Sequence, residues 1–356
     1  MMSLTLAPGE LVPIVYKKGN LKLLDQRYLP SRILYINATT AADVVHAIKT
    51  MVVRGAPAIG ICAAYGVVLS FLDRKGDIRA VMTDVALLAA SRPTAVNLHH
   101  ALDKLSQCLQ SFNTQSLSSE EKAGLLFEAA LAIHQQDLAF NQNIARHGQA
   151  VLSKHQFDKL KPVRVLTHCN TGSLATGGLG TALGIIKQGA RAGLIGSIFA
   201  TETRPWLQGS RLTAFELQHE SLNVQLLVEG AAASLMASEQ VDWLIVGADR
   251  IAANGDTANK VGTLTLALLA HFYGVKVMVA APTTTVDMTL VKGSDIPIEY
   301  RSGAEILAAA GYENTSAVPV YNPVFDVTPA QYIDFIVTEL GAVRPNDLKN
   351  SLSKTC

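Results

Sequence analysis

The sequence contains few cysteines, and their spacing does not match a disulfide or zinc framework. Its 356 residues include four cysteines, none of them in a C-x-x-C pair: Cys62, Cys108, Cys169 and Cys356. Isolated cysteines favour free thiols in a reducing compartment. The first residues also lack the basic stretch and continuous apolar core of a secretory signal. We therefore expect the protein to be cytoplasmic.

An excess of charge of either sign is also missing. Thirty Lys and Arg residues stand against 29 Asp and Glu residues, which gives a formal net charge of +1. No overall field attracts nucleic acid, and we expect no such partner. One uncharged run, residues 55–72, approaches the length of a membrane span, but Pro57 and three glycines interrupt it. We interpret this run as a buried helix and expect no membrane partner.

The common cofactor and metal motifs are absent as well. The sequence has no G-x-G-x-x-G fingerprint after its first predicted parallel strand, no G-x-x-x-x-G-K-[ST] phosphate loop and no H-E-x-x-H zinc helix. His99 and His100 are adjacent, so they would point to different sides of a helix and form a poor metal pair. These patterns give no reason to expect a metal or a nucleotide.

The pattern of apolar residues changes near residue 160, and the length favours two domains. Before that point, apolar residues recur at helical spacing, after a few short strand-like runs at 21–23 and 33–36. The spacing predicts helices over 41–51, 98–112 and 120–152, and the polar residues 112–121 predict a loop. We therefore predict a smaller, mainly helical N-terminal domain over residues 1–155.

Beyond residue 162, short β-branched runs alternate with helical patterns, which is typical of βα units and a parallel sheet. The predicted strands are 163–168, 195–200, 224–228, 243–246 and 276–280. The predicted helices between them are 179–189, 211–219, 231–237 and 263–273. The chain therefore belongs to the α/β class, with a doubly wound domain over residues 156–356. Ligands of such sheets bind beyond the carboxyl ends of the strands.

Two chemically capable side chains follow predicted strands at that edge. Cys169 comes directly after the first strand, and Asp249 comes three residues after the fourth. A carboxyl group in a partly desolvated position suits general acid–base work. Each residue also has a structural interpretation, because Cys169 could be an inert buried thiol and Asp249 could pair with Arg250. Local composition leaves both interpretations open.

Several further residues are suited to binding anions and hydroxyl groups. Arg204 and Gln208 follow the second strand, and Asn259 and Lys260 precede the predicted helix 263–273. In the N-terminal domain, an arginine lies at each of two predicted helix starts. The first is Arg54, followed by Gly55 and Ala56, and the second is Arg92. Helix N-termini and guanidinium groups both attract phosphate. Taken singly, Arg54 and Arg92 are better explained as ordinary surface arginines, and the polar residues after the second strand could form a solvated loop.

Six longer stretches together resemble the methylthioribose-1-phosphate isomerase family. They are residues 54–66 (RGAPAIGICAAYG), 92–98 (RPTAVNL), 167–172 (THCNTG), 201–217 (TETRPWLQGSRLTAFEL), 247–263 (GADRIAANGDTANKVGT) and 322–329 (NPVFDVTP). The wider family includes ribose-1,5-bisphosphate isomerases and the regulatory subunits of the exchange factor for translation initiation factor 2. A regulatory subunit would not require Cys169 and Asp249 together.

The resemblance implies an aldose–ketose isomerase of methionine salvage that acts on a sugar phosphate without metal or cofactor. It implies that Asp249 is the catalytic acid and Cys169 the second catalytic residue. It assigns substrate contacts to Arg54, Gly55, Ala56, Arg92, Gln208, Asn259 and Lys260. It also implies a homodimer of chains with a Rossmann-like C-terminal domain. After ring opening, hydrogen would move from C2 to C1 as a hydride or through an enol-type intermediate.

Overall fold

A computed structural model describes residues 11–92, 95–114, 116–159, 161–312 and 318–353. Cys356 and two residues of the 92–98 stretch, Pro93 and Thr94, lie outside this part. The chain forms two compact units. Unit 1 comprises the residues up to Asn141 together with Gly172–Gly180, and unit 2 comprises Gln142–Thr171 and the residues from Thr181 onward. The division therefore falls inside the long helix that ends near the predicted boundary at residue 155.

Unit 1 is mainly helical and carries one small sheet. Its strands are β1 Ile14–Lys17, β2 Asn20–Leu24 and β3 Tyr35–Ala38, which pair antiparallel in that order. Its helices are α1 Ala41–Lys49, α2 Ala56–Asp73, α3 Ile78–Ala89, α4 Val96–Ser111 and the first part of α5 Ser119–Lys159. The three helices predicted from apolar spacing are confirmed, whereas α3 was not predicted.

Helix α2 is the apolar centre of unit 1. It is hydrophobic on all sides, and such helices are buried rather than amphipathic. Among the described residues it is the one helix long and apolar enough to span a membrane, yet 78% of it is buried inside the protein. The interpretation of residues 55–72 as a buried helix is confirmed. Helix α1, packed beside it, begins with a capping box formed by Thr40 and Asp43.

Unit 2 is built on a seven-stranded sheet and a second sheet of four short strands. The strands are β4 Val163–Thr167, β5 Ile195–Thr201, β6 Val224–Leu227, β7 Trp243–Val246, β8 Arg250–Ala252, β9 Thr257–Lys260, β10 Lys276–Ala280, β11 Val286–Asp287, β12 Phe325–Thr328, β13 Phe335–Thr338 and β14 Gly341–Val343. The helices are α6 Ala182–Arg191, α7 Ala214–His219, α8 Ala232–Ala237, α9 Thr263–Phe272, α10 Ala304–Leu307 and α11 Leu348–Ser353.

The large sheet has the order β14-β13-β10-β7-β4-β5-β6, and all neighbouring strands are parallel except β13 and β14. Numbered along the chain, its six parallel strands follow the order 3-2-1-4-5-6, with the reversal between β4 and β7. Both faces of the sheet are covered, because Leu244 and Ile245 point into different apolar clusters. The α/β class and the five predicted strands are confirmed.

The four-stranded sheet was not predicted. It has the order β11-β8-β9-β12, and it begins four residues after the end of β7. Strand β9 reads TANK, and all four residues are buried although three are polar. A strand of this composition has no apolar alternation for sequence analysis to detect. This sheet nevertheless carries part of the candidate site.

Candidate active site

Cys169 and Asp249 follow neighbouring strands at the reversal point of the large sheet. Cys169 is two residues beyond the end of β4, and Asp249 is three residues beyond the end of β7. The two strand ends approach closely, because a Cβ atom at Gly247 would lie 2.6 Å from Cγ2 of Thr171. The hydroxyl of Thr167 also donates to the Ile245 carbonyl at 2.8 Å. The prediction that both residues lie at one edge of one sheet is confirmed.

Cys169 is buried and has an unusual backbone conformation. Its side chain is only 7% exposed, and its φ of 67° lies in the left-handed region that most residues avoid. The backbone N–H donates to Oγ1 of Thr203 at 2.9 Å, and the carbonyl accepts from the hydroxyl of Thr213 at 2.5 Å. Threonine hydroxyls thus hold Cys169 on both sides.

Gln208 is the predicted substrate-binding residue that lies directly beside the thiol. Its Nε2 donates to Sγ of Cys169 at 3.4 Å, a normal length for a bond to sulfur. Its Oε1 is buried and has no hydrogen-bond partner among the described residues. Unpaired buried acceptors are rare and costly. The following residue must be glycine, because a Cβ at Gly209 would lie within 1.8 Å of the Thr201 carbonyl.

A buried ionic network contacts Asn170, the residue that follows Cys169. Its Nδ2 donates to Oε1 of Glu216 at 2.8 Å, and Glu216 lies 3.9 Å from the ammonium group of Lys187. Lys187 also pairs with Glu220 at 2.8 Å, and the side chains of Lys187, Glu216 and Glu220 are fully buried. Removing one member of such a network leaves an uncompensated buried charge. The network therefore fixes Asn170, and with it the chain beside Cys169.

The hairpin of β8 and β9 brings Asp249 next to Asn259 and Lys260. The backbone N–H of Asp249 donates to the Ala258 carbonyl at 2.9 Å, so Asp249 lies opposite the end of β9. Asp249 is half-buried, whereas Asn259 and Lys260 are 2% and 8% exposed. Nζ of Lys260 donates to the Val324 carbonyl at 2.8 Å. This part of the site thus consists of a cation and an amide on β9, and of a half-buried carboxyl group at the residue whose backbone lies opposite the end of that strand.

Two acidic residues near Lys260 were not singled out from the sequence. Asp326 on β12 accepts from the N–H groups of Gly262 and Leu264, at 2.7 and 3.1 Å, so it caps the start of α9. Burial raises the pKa of Asp326 to about 6, against the lowering effect of these bonds. Glu229 accepts from the Arg204 N–H at 2.6 Å, and burial raises its pKa too. Only the folded chain brings these carboxyl groups to the edge of the sheet.

The remaining predicted residues lie in unit 1, around the starts of α2 and α4. Gly55 caps α2 with a φ of 97°, and Arg54 and Ala56 flank it. Arg92 precedes α4, where its carbonyl accepts from the Ala95 N–H at 3.0 Å. The two helix starts are close together, because a Cβ at Gly60 would lie 2.7 Å from the Asn97 carbonyl. The structure therefore brings the two predicted anion-binding stretches of this unit together.

The segment Gly172–Gly180, which follows Asn170 and Thr171 in the chain, is held by three polar side chains of unit 1. Nε2 of Gln26 donates to the Leu174 carbonyl at 2.7 Å. Gly177 is held from both sides, because its N–H donates to Asp137 at 2.7 Å and its carbonyl lies 3.0 Å from Nε2 of His134. None of these three side chains was predicted, since they lie far from the segment in sequence.

The described residues contain no group of three His, Cys, Asp or Glu side chains arranged to hold a metal ion. The predicted site residues fall into two sets. Those of unit 2 are brought together at the edge of its sheet: Cys169, Gln208, Asp249, Asn259 and Lys260. Those of unit 1 are grouped at two helix starts: Arg54, Gly55, Ala56 and Arg92.

Comparison with known proteins agrees with the resemblance found in the sequence. The Initiation factor 2 subunit family matches residues 52–345. A methylthioribose-1-phosphate isomerase of Pseudomonas aeruginosa strain UCBPP-PA14 is 50% identical over 346 residues, covering 96% of this chain and 95% of the relative.

Two solved structures share the fold over nearly the whole chain. The 5-methylthioribose 1-phosphate isomerase of Pyrococcus horikoshii OT3 has a TM-score of 0.87 at 38% identity, covering 96% of this chain and 94% of that one. Subunit delta of the translation initiation factor eIF-2B from A. fulgidus has a TM-score of 0.82 at 32% identity, covering 96% and 99%. The chain therefore belongs to the initiation factor 2 subunit family, and it shares the highest of these identities with a methylthioribose-1-phosphate isomerase.

Proposed function

We propose that this chain is an aldose–ketose isomerase of methionine salvage, which converts 5-methylthioribose 1-phosphate into 5-methylthioribulose 1-phosphate. The observation that carries the proposal is the pairing of Cys169 and Asp249 at neighbouring strand ends, in a chain 50% identical to an enzyme of that name. The likeness to eIF-2B subunit delta is lower, at 32% identity. A purely regulatory subunit has no need for this pair.

Asp249 is the proposed acid of the ring-opening step. Because C1 of the substrate carries a phosphate ester, the ring cannot open as a free hemiacetal does, and its oxygen must be protonated. Asp249 is half-buried and lies three residues beyond the end of β7, at the edge of the sheet where folds of this type bind ligands. Position therefore supports the assignment, in agreement with the requirements of general acid catalysis.

Cys169 is the proposed second catalytic residue, and it acts while hydrogen moves from C2 to C1. Its thiol is buried and lies beside Gln208, away from bulk water. In this role it stabilises the charge that develops at the reacting carbons or relays a proton. Oε1 of Gln208, which lacks a protein partner among the described residues, accepts a hydrogen bond from a sugar hydroxyl.

The remaining predicted residues are proposed to bind the substrate. Arg54, Gly55, Ala56 and Arg92 provide guanidinium groups and helix N-termini, both of which suit a phosphate group. Lys260 adds a buried ammonium group, and Asn259 adds a buried amide. No metal or cofactor has a part in the proposed reaction. The strand order 3-2-1-4-5-6 further supports a Rossmann-like assignment for unit 2.

The test is turnover of the aldose phosphate, followed by NMR, in the wild-type protein and in two variants. We expect Asp249→Asn and Cys169→Ala each to lower kcat by about a thousandfold or more, with an unchanged melting temperature. Cys108→Ala is the matched control, because Cys108 is a half-buried free thiol on α4. Wild-type protein that fails to convert the substrate, but co-purifies with heterologous subunits, would instead support a regulatory role.

A further inference from the structure

A chain of hydrogen bonds runs from the backbone of Cys169 to the backbone of Val261. The Cys169 N–H donates to Oγ1 of Thr203 at 2.9 Å, and that oxygen lies 2.9 Å from Oγ1 of Thr201. Thr201 in turn lies 2.7 Å from Nδ1 of His168, whose Nε2 lies 3.0 Å from the Val261 carbonyl. The side chains of His168, Thr201 and Thr203 are fully buried.

All the hydrogen bonds in this series are donated in one direction, from Cys169 toward Val261. The Val261 carbonyl can only accept, so Nε2 of His168 carries the hydrogen. Burial lowers the pKa of His168 to about 4, so the ring is neutral near pH 7 and its Nδ1 accepts from the Thr201 hydroxyl. Thr201 then accepts from Thr203, whose other two acceptors, the Thr201 carbonyl and Nδ1 of His168, are farther away at 3.3 and 3.5 Å. Thr203 is thereby left to accept from the Cys169 N–H.

One end of this chain stabilises a strained turn. Cys169 and Thr203 have φ values of 67° and 61°, in the left-handed region where residues other than glycine are disfavoured. Such conformations persist where surrounding contacts determine them. The hydrogen bond between Cys169 and Thr203 joins the two strained residues, so each fixes the backbone of the other.

The other end lies at the segment that follows Lys260. Val261 separates Lys260 from Gly262, which has a φ of 103°. A Cβ at Gly262 would lie 3.1 Å from Cε1 of His168 and 2.7 Å from Oε1 of Glu229, so the segment packs tightly against the ring. His168 therefore contacts the turn after β9 and, through two hydroxyl groups, the turn after β4.

We propose that His168, Thr201 and Thr203 are positioning residues, which hold the Cys169 turn and the Lys260–Val261 turn in one fixed arrangement. The inference rests on the proposed function, because it assigns the two turns to the substrate site. It adds three residues that do not contact the substrate and act through Cys169 and Lys260. Loss of any hydroxyl leaves a buried donor or acceptor without its partner.

The experiment compares Thr201→Val and Thr203→Val with Thr203→Ser, which keeps the hydroxyl. Thr338→Val is the matched control, because Thr338 is a buried threonine at the end of β13 whose hydroxyl accepts from the Leu340 N–H and donates to the Gly341 carbonyl, away from these hydrogen bonds. Two quantities are measured: kcat with KM, and the rate at which iodoacetamide alkylates Cys169, located by mass spectrometry. Thr201→Val is the decisive variant, because valine suits a strand and leaves β5 able to fold.

We expect both valine variants to lower kcat about tenfold with little change in KM, and to raise the alkylation rate several-fold. Thr203→Ser should keep the wild-type kcat and alkylation rate, and Thr338→Val should change neither. Because the hydroxyls act as one unit, the double variant should lose little more than the worse single variant. Additive losses, or a Thr201→Val variant that behaves like Thr338→Val, would overturn the proposal.

The outcome also separates this inference from the proposed function. If Cys169→Ala keeps full turnover, the catalytic role of Cys169 is wrong, yet faster alkylation in Thr201→Val still supports the hydrogen-bond chain. If Cys169→Ala is inactive and both valine variants keep wild-type kcat and alkylation rates, the positioning role alone is wrong.

Discussion

Single residues set the shape of the chain at the predicted phosphate-binding stretch of unit 1. Gly55 combines a positive φ with close packing, since its own Cβ would lie 2.5 Å from the Cα and the carbonyl oxygen of Ala175. Both contacts are with backbone, which cannot move aside like a flexible side chain. The glycine is therefore required twice, once by conformation and once by space.

We expect Gly55→Ala to lower the free energy of unfolding by about 3 kcal/mol, the sum of left-handed strain and overpacking. Gly193→Ala is the control, because Gly193 also has a positive φ, of 72°, but nothing lies within 4 Å of a Cβ there. Its cost should be only about 1 kcal/mol. Urea unfolding measures both values. Equal costs would show that packing against Ala175 contributes nothing.

At this scale, sequence analysis could predict residues whose chemistry is visible beside a strand end. Cys169 and Asp249 were predicted in this way, because each follows an apolar strand in the sequence. Thr203 and Glu229 were not, because their contacts join residues 34 and 25 positions apart. The strained turn of Cys169 was equally out of reach, since no sequence pattern indicates a positive φ at a cysteine.

Among the elements, helix α5 has a role beyond packing. His134 lies beside the Gly177 carbonyl, and Asp137, one turn further along, accepts from the Gly177 N–H. Asn141 also donates to the carboxyl group of Asp137, at 2.9 Å. Desolvation raises the pKa of Asp137 to about 7, against the lowering effect of the two donated hydrogen bonds. The carboxyl group therefore holds its proton in the folded protein over a range in which it ionises in the unfolded chain.

This shift makes a prediction for stability as a function of pH. Between about pH 4 and pH 7 the folded protein binds one more proton at Asp137 than the unfolded chain, so the wild type loses stability as pH rises. Asn does not titrate. The stability of Asp137→Asn relative to wild type should therefore increase with pH in this window, by up to about 1.4 kcal/mol per pH unit, and level off above pH 7.

Urea unfolding at unit steps of pH measures this difference. Asp103→Asn, at an exposed site on α4, serves as the control and should show a much smaller slope. A difference that stays constant from pH 4 to pH 7 would mean that Asp137 is already ionised in the folded protein.

The elements differ in how far their sequences reveal them. The central strands β7 and β10 were predicted with their observed bounds, because a strand buried on both faces is a continuous apolar run. Strand β9 has a polar sequence and is buried only because β8 and β12 flank it. The helix predicted from residue 211 instead begins with a π-helical turn, Gly209–Thr213, where a tight contact with β5 constrains the backbone.

For the whole molecule, we propose a homodimer, as the resemblance implied. Light scattering coupled to size-exclusion chromatography should then give twice the chain mass of 37.9 kDa. This mass should stay the same when the protein concentration loaded on the column is varied over a tenfold range. A mass that falls toward one chain on dilution would indicate a weak association, and a constant mass of one chain would contradict the proposal.

The segment Gly172–Gly180 has a consequence for how this protein could be divided. The chain passes between the two units at residues 141/142, 171/172 and 180/181, so no single cut separates them. A fragment starting at residue 156 would carry nine residues whose partners, Gln26, His134 and Asp137, it lacks. A gene encoding either unit alone would therefore encode an incomplete product, and recombination that exchanges one unit must also replace this short internal stretch.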